Sequence, residues 1–179
     1  MSTSAQFASE KEQLIALLEL SGKAYLDVLT AVPESAASAT LGGWTIVEVA
    51  EHVAVGEAGM LRLLESGTEK TAPADFELDH RIVIRLARRE EKVQAPERSL
   101  PKGRWKSVAE CADAFRQSRA KTIEFVKGAE GLRKKAVMHP FFGLVDGHQI
   151  ALIMAHHPER HAAQIEEIKQ NAGHAAATK

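Results

Sequence analysis

Two histidines on the apolar face of the last long helix, His157 and His161, have the spacing that most clearly indicates chemistry. They are four residues apart, so in a helix both rings project from one face, one turn from each other. The rest of this face is apolar and comprises Ile150, Met154, Ile165 and Ile168. A buried imidazole needs partners for its ring nitrogens, and a metal ion bound by both rings would supply one.

His52 is the best candidate for a third metal ligand, because it lies in another predicted helix, one turn after Glu48. Zinc, nickel and iron accept neutral imidazole, and catalytic sites commonly combine three protein ligands with an open position. Gly56 and Gly59 follow on the same helix face, although each glycine costs about 1 kcal/mol of helix stability against alanine. They leave room either for a ligand or for a close helix crossing, and the sequence favours neither interpretation.

The histidines also have an interpretation without a metal, in which a backbone carbonyl or an acidic side chain satisfies each ring. The pairing of two histidines at helical spacing, with a third on another helix, favours the metal site. A zincin protease site is excluded, because Pro158 stands where that motif needs a glutamate. Pro158 predicts a bend between the two ligands or a break in the helix. Gln164 either orients a ligand or lies at the edge of the core.

The composition indicates one helical domain. The chain has 179 residues, of which 45% are hydrophobic and 5% aromatic, with a formal net charge of −1. We expect a single all-α domain over residues 1–179, frayed at 1–8 and 174–179. No membrane span or secretion signal is recognisable. With one cysteine, Cys111, the sequence predicts a cytoplasmic protein, and its charge argues against nucleic-acid binding.

Four long helices are predicted from their start signals. The signals are Ser9, Thr45, Ser107 and Asp146, each followed three positions later by Glu or Gln. The predicted ends are Pro33, about Ser66, about Gly128 and about residues 171–173. A short extra helix is predicted at residues 79–91, within the long connection between the second and third long helices. A connection of this length can return along a bundle, so those two helices can run parallel.

Two segments resemble the DinB-like superfamily. One contains His139-Pro-Phe-Phe-Gly143, the helix start at Asp146 and His157-x-x-Arg-His161-x-x-Gln164-Ile165. The other is Trp44-Thr-Ile-Val-Glu48-Val-Ala-Glu-His52. The resemblance implies a four-helix bundle with a long crossover between helices two and three. It also implies one divalent metal ion bound by His52, His157 and His161, and a homodimer.

Some branches of that family are thiol-dependent enzymes, including transferases that join a low-molecular-weight thiol to an electrophile and a mycothiol-dependent isomerase. We therefore expect a metal-dependent thiol transferase or hydrolase that acts on a small electrophilic molecule. Zinc, nickel or iron would lower the pKa of a bound water or thiol. Two alternatives stay open: a non-catalytic, stress-related bundle with a structural metal, and a metal-free dimerisation scaffold.

Other candidate residues favour structural roles. Arg81, Arg85 and Arg88 form a basic stripe on the short helix, interpreted as a solvated face rather than an anion subsite. Cys111 is interpreted as core rather than nucleophile. His139 and His148 flank the loop before the last helix, where turn formation is favoured over substrate contact. No phosphate loop, dinucleotide fingerprint or nucleophile elbow occurs, and no catalytic residue is assigned.

Overall fold

The computed structural model describes residues 9–69, 75–89 and 94–177, with side chains as far as residue 172. Within these ranges the helices are α1 (Glu10–Thr30), α2 (Ile46–Glu65), α3 (Phe76–Ala87), α4 (Val108–Gly128) and α5 (Gly147–Ala177). The strands are β1 (Thr68–Glu69), β2 (Lys135–His139) and β3 (Gly143–Asp146). The long helices α1, α2, α4 and α5 form the predicted four-helix bundle. None of the described helices is long and apolar enough to cross a membrane.

The predicted start signals operate at the ends of the long helices. Ser9 and Thr45 each accept a hydrogen bond from the backbone of the glutamate three positions later, whose carboxylate accepts the N–H of the cap residue. Asp146 and Gln149 form the same reciprocal pair at the start of α5. These local interactions satisfy backbone donors that the first helical turn would otherwise leave without a partner.

Two helix boundaries differ from the prediction. Asp75 caps α3, which therefore begins at Phe76 and ends at Ala87 instead of covering residues 79–91. Helix α5 runs to Ala177, past the stop predicted at residues 171–173, and Gly173 lies within it. Residues 1–8 and 178–179, for which fraying was predicted, lie outside the described residues.

A small antiparallel sheet, with β2 between β1 and β3, was not predicted. His139 pairs with Gly143 across the β2–β3 hairpin, and Gly143 adopts a φ of +70°, which glycine tolerates because it has no Cβ. The strands are only two to five residues long. Hydrophobic alternation over such short segments cannot be distinguished from a loop. The hairpin places His139 in the pocket described below.

The contacts between helices confirm that α2 and α4 run parallel. The thiol of Cys111 on α4 donates a hydrogen bond to the backbone carbonyl of Val47 on α2. Further along both helices, Glu57 binds Arg119. The contacts therefore advance in the same direction on the two helices. The connection between them has to return along the bundle, as its length predicted.

Two apolar clusters form the core, and polar side chains lie between them. One cluster includes Leu18, Leu64, Val126 and Ile150, and the other includes Tyr25, Val53, Phe115 and Ile165. The side chains of Ser21, Glu57, Arg119 and Thr122 are buried at intermediate positions along α1, α2 and α4. We call these four residues the polar layer. They satisfy one another inside the bundle, as buried polar groups must.

Arg119 connects the four long helices. Its Nε lies 2.7 Å from Glu57 of α2, and both side chains are at most 5% exposed. It also donates to the backbone carbonyls of Leu18 on α1 and Met154 on α5. Met154 is four residues before Pro158, whose missing N–H leaves that carbonyl without its helical donor. Arg119 supplies the donor, and α5 continues through Pro158 as one helix.

The Arg119→Met variant should lose about 3–5 kcal/mol of unfolding free energy, because the buried Glu57 carboxylate would lack its counterion. Urea unfolding would measure the loss. The double variant Glu57→Met/Arg119→Met should be more stable than Arg119→Met alone. Arg116→Met, which removes an exposed arginine of the same helix, is the control and should change stability little. Equal losses for Arg119→Met and Arg116→Met would contradict the assigned role.

Candidate metal centre

The structure brings His52 of α2 together with His157 and His161 of α5. The centroids of the three rings lie 4.7–5.2 Å from one another. One nitrogen from each ring lies within 4.8 Å of the other two. His52 is buried, whereas His157 and His161 are half-buried. Side chains about a hundred residues apart in the chain thus converge at one point between two antiparallel helices.

The separation of one pair of ring nitrogens, from His52 and His157, fits a tetrahedral metal ion. Two nitrogens that each lie about 2.05 Å from a zinc ion, at the tetrahedral angle, are about 3.3 Å apart. The Nε2 atoms of His52 and His157 are separated by 3.3 Å. Within the described residues, no further His, Cys, Asp or Glu joins this group. Three protein ligands would leave one tetrahedral position for another molecule.

Hydrogen bonds at the opposite ring nitrogen orient two of the three histidines. Nδ1 of His52 lies 2.8 Å from the carbonyl oxygen of Ser99. Because a carbonyl only accepts, Nδ1 donates, and Nε2 of the neutral ring keeps its lone pair. Nδ1 of His161 lies 2.8 Å from Oε1 of Gln164, which has the same consequence. Of the two roles that the sequence left open for Gln164, the hydrogen bond to His161 supports the one in which Gln164 orients the ring.

Burial keeps the three rings in the form that binds metals. It lowers the pKa of His161 to about 3, and the neighbouring His52 adds to that shift. Burial also lowers the pKa of His157, with a further contribution from His161, and the pKa of His52. Imidazole binds a metal only when neutral, so all three rings are ready ligands near pH 7.

Glu51 anchors the loop that orients His52. Its carboxylate is buried and accepts hydrogen bonds of 2.7–2.9 Å from the backbone of residues 102–103 and from the side chain of Arg104. Burial opposes ionisation of Glu51, but these hydrogen bonds outweigh it and lower the pKa. The anchored loop carries Ser99, so Glu51 helps to hold the carbonyl that binds His52.

Gly56 provides the space that the His157 ring occupies. A Cβ at position 56 would lie 3.2 Å from Cε1 of His157, which is closer than carbon atoms normally approach. At Gly59, the nearest atom to an added Cβ is Nη2 of Arg62, at an ordinary distance of 4.0 Å. Both interpretations left open by the sequence therefore apply at Gly56, because a close contact between α2 and α5 also makes room for a candidate metal ligand.

A pocket of about 200 Å³ is lined by the three histidines. Its other walls come from α2, from the end of α3, from the 3₁₀ turn Glu97–Ser99 and from the β2–β3 hairpin. The apolar lining includes Leu63, Leu86, Phe142 and Ile153. Pockets of this kind, mostly apolar with a few convergent polar groups, are typical of sites for small molecules.

His139 is a fourth histidine in the lining of this pocket. It is 7% exposed, and its Nδ1 accepts the backbone N–H of Phe141 at 3.2 Å. The neutral ring must therefore carry its proton on Nε2. Burial, reinforced by the charge of Arg98, lowers the pKa of His139 to about 4. His139 therefore has the predicted turn-forming role, and the structure shows that its side chain also lines the pocket.

The arginines of the basic stripe lie at the surface or in the pocket lining, whereas Cys111 lies in the core. Arg81 faces Asp75 at 3.5 Å on the surface, whereas Arg85 of the same stripe lines the pocket. Arg88 is exposed. Cys111 is fully buried, as predicted, and burial raises its pKa to about 12. A thiol with that pKa is not a ready nucleophile.

A second group of ligand-type atoms belongs to Glu10, Asp79 and His148. Arg133 pairs with Glu10, and its Nη2 lies 2.6 Å from Asp79. The guanidinium already pairs with both carboxylates, so we interpret the group as an ion-pair network. His148 belongs to this network and does not line the pocket around the three histidines.

Sequence reasoning missed Glu51, Glu57 and Ser99, which support the three rings or the bundle around them. For Glu57 a signal was available. It occupies the position between Val53 and Met60 on the apolar face of α2, where an aliphatic residue would continue the helical spacing. An acidic residue at such a position indicates a buried partner. No comparable signal identified Ser99, because its contact uses only the backbone.

Comparisons with known proteins agree with this architecture. A family model described as the DinB superfamily matches residues 17–165. YfiT from Bacillus subtilis, described as a probable metal-dependent hydrolase with an unusual four-helix bundle topology, is 15% identical, with a TM-score of 0.63 over 97% of this chain and 94% of its own. The four-helix bundle protein TT2238 is 24% identical, with a TM-score of 0.56 over 88% of this chain and 98% of its own. These identities show a shared fold alone. No curated protein matches significantly.

Gly56→Ala should weaken divalent-metal binding by about tenfold, because the new methyl group displaces the ring of His157. Gly59→Ala is a matched control on the same helix and should leave the metal affinity unchanged. Both substitutions remove a helical glycine, so each gains about 1 kcal/mol of helix propensity. Isothermal titration with zinc would measure the affinities. Equal affinities for the two variants would show that His157 does not need the space at Gly56.

Proposed function

The chain belongs to the DinB superfamily, and from this premise we propose that it is a metal-dependent enzyme with His52, His157 and His161 as ligands. Its substrate is a small electrophilic molecule, attacked by water or by a low-molecular-weight thiol. The observation that carries the proposal is the convergence of three neutral imidazoles beside a pocket that admits a small molecule.

The ligand set determines what chemistry the site can support. A divalent ion held there would lower the pKa of a water or thiol ligand and so supply a nucleophile near neutral pH. The three imidazoles add no negative charge, and therefore do not diminish the effect of the ion on that nucleophile. Neutral nitrogen ligands suit zinc, nickel and iron. The description of YfiT as a probable metal-dependent hydrolase supports the hydrolytic form of the proposal.

His139 supplies the pocket with a neutral hydrogen-bond donor that can stabilise negative charge developing on the substrate. Its Nδ1 is engaged by Phe141, which leaves Nε2–H as the donor of a neutral ring. We assign to this N–H a hydrogen bond to the substrate oxygen on which negative charge grows as the nucleophile adds. A donor fixed in advance in a largely apolar pocket stabilises such charge more strongly than mobile water does.

Two observations support this proposal over a structural metal or a metal-free scaffold. A structural zinc site is commonly closed by four protein ligands, whereas three are found among the described residues. In a scaffold without metal, His52 and His161 would each keep an Nε2 lone pair, because Nδ1 of each ring donates to an oxygen, and the single N–H of a neutral His157 could serve only one of them.

Elemental analysis of the protein purified without a histidine tag should find one divalent metal per chain. His52→Ala should remove most of it, because His52 supplies one of three ligands. His156→Ala is the control, since its ring bonds to Glu159 and not to the other three histidines. Full metal content in the His52→Ala protein would exclude His52 as a ligand.

Activity should follow the metal. Two wild-type samples should be compared, one stripped of metal with a chelator and one stripped and then reconstituted. Product formation should be measured on activated esters and on mixtures of a thiol with an electrophile. Product formation should disappear on stripping and return on reconstitution. Consumption of thiol would identify the transferase form, and release of acid without thiol would identify the hydrolase. Equal activity of stripped and reconstituted protein would contradict the proposal.

His139→Phe should lower kcat/KM about 10²–10³-fold, because it keeps an aromatic ring and removes the Nε2–H donor. Metal content should stay unchanged. The ratio of wild-type to variant activity should be constant from pH 6 to 9, roughly, since a ring with a pKa of about 4 stays neutral over that range. A variant with undiminished kcat/KM would show that His139 only shapes the hairpin.

A further inference from the structure

The charged residues that line the pocket share one sign. Among the described lining residues, the charged side chains are Arg62, Arg85, Arg98 and Arg160. They come from α2, α3, α5 and the turn before α4, so the folded chain collects them from separate segments. The protein as a whole is nearly neutral, with a formal net charge of −1. The positive charge of the pocket is therefore local.

Arg160 has a structural task in addition to its place in the lining. Its Nη1 donates to the backbone carbonyls of Leu86 and Arg88, which attaches the end of α3 to α5. This contact holds the α3 wall of the pocket beside His161. Arg160 therefore contributes positive charge to the site while being fixed by the backbone of α3.

Arg62 and Arg98 are placed differently, and within the described part of the chain neither forms an ion pair with a carboxylate. The guanidinium of Arg62 extends back along α2 over Gly59, toward the histidine end of the helix. Arg98 precedes Ser99, whose carbonyl holds His52. Its charge also reaches the interior of the pocket, because it helps to lower the pKa of His139.

The remaining lining surface is largely apolar, with Leu63, Phe141, Phe142 and Ile153 among its residues. Positive groups beside such low-dielectric walls attract anions more strongly than the same groups on an open surface. A guanidinium also matches the planar, two-oxygen geometry of a carboxylate. The combination favours a ligand with an apolar body and an anionic group at one end.

We propose that the pocket selects a small, largely apolar molecule that carries an anionic group, and that Arg62 and Arg98 bind this group. The inference deepens the proposed function, on which its catalytic meaning rests, by naming the class of substrate or co-substrate. Binding can be measured without turnover, so the two proposals can fail independently.

The experiment compares benzoate with benzamide, which have the same ring and nearly the same shape but differ in charge. Both are titrated into metal-loaded protein, with binding followed by calorimetry at low ionic strength. Benzoate should bind about tenfold more tightly than benzamide. Added salt should reduce this preference, because it screens the charges of the partly exposed arginines.

The double variant Arg62→Ala/Arg98→Ala should lose the preference for benzoate. Arg81→Ala/Arg116→Ala is the matched control, because it removes the same charge from two exposed arginines that face Asp75 and Asp113 outside the pocket. This control should keep the preference. The titrations should be repeated on metal-free protein, since a carboxylate can also bind directly to a metal.

Three results would overturn the inference: equal binding of benzoate and benzamide, no benzoate binding at millimolar concentration, or a preference that disappears with the metal but survives the Arg62→Ala/Arg98→Ala substitutions. The last result would assign the anion to the metal. Benzoate binding that depends on the two arginines, in a protein without metal-dependent turnover, would instead support the anion site and contradict the proposed function.

Discussion

The ion pair between Arg119 and Glu57 is the interaction on which the bundle depends, because it gives four helices a shared polar interior. It also explains how proline is tolerated within α5. Pro158 removes one helical hydrogen bond, and the carbonyl of Met154 that loses it is bound by Arg119. Without that donor, a buried carbonyl would be left without a partner just before His157. The continuity of the helix that carries two of the three candidate ligands thus depends on a side chain from another helix.

Each ring of the candidate metal centre is held by a different kind of contact. A backbone carbonyl fixes His52, a side-chain amide fixes His161, and the missing side chain of Gly56 admits His157. A site whose ligands are fixed in advance does not have to order them when the ion arrives. On α5, His157 and His161 lie between the two apolar clusters, within two turns of the Met154 carbonyl that Arg119 binds. The polar layer and the candidate metal centre are therefore neighbours along this helix.

The sequence was sufficient to predict the helices and the histidine pair on α5, because both follow from local spacing, whereas His52 was identified from its place on another helix and from the family resemblance. Capping pairs are three residues apart and the ring pair on α5 is four apart, so neither requires knowledge of the fold. The sheet was missed because its strands are too short to show a period. Ser99 could not be identified, since its contact with His52 uses the backbone and depends on a long-range approach. The buried ion pair of Glu57 could have been predicted, because Glu57 is the one acidic residue within the apolar stripe of α2.

The parallel direction of α2 and α4 has a consequence for how this protein can evolve. Helix α2 has 20 residues and is about 30 Å long, so the chain must travel back that far before α4 begins. That return path supplies α3 and the turn with Ser99, which line the pocket beside the three histidines. An up-and-down bundle with short loops would lack these two walls. Substitutions at the positions of this connection that face the pocket can therefore alter which molecules are admitted, whereas Ile82 of α3, which packs into the core, is constrained by the long helices.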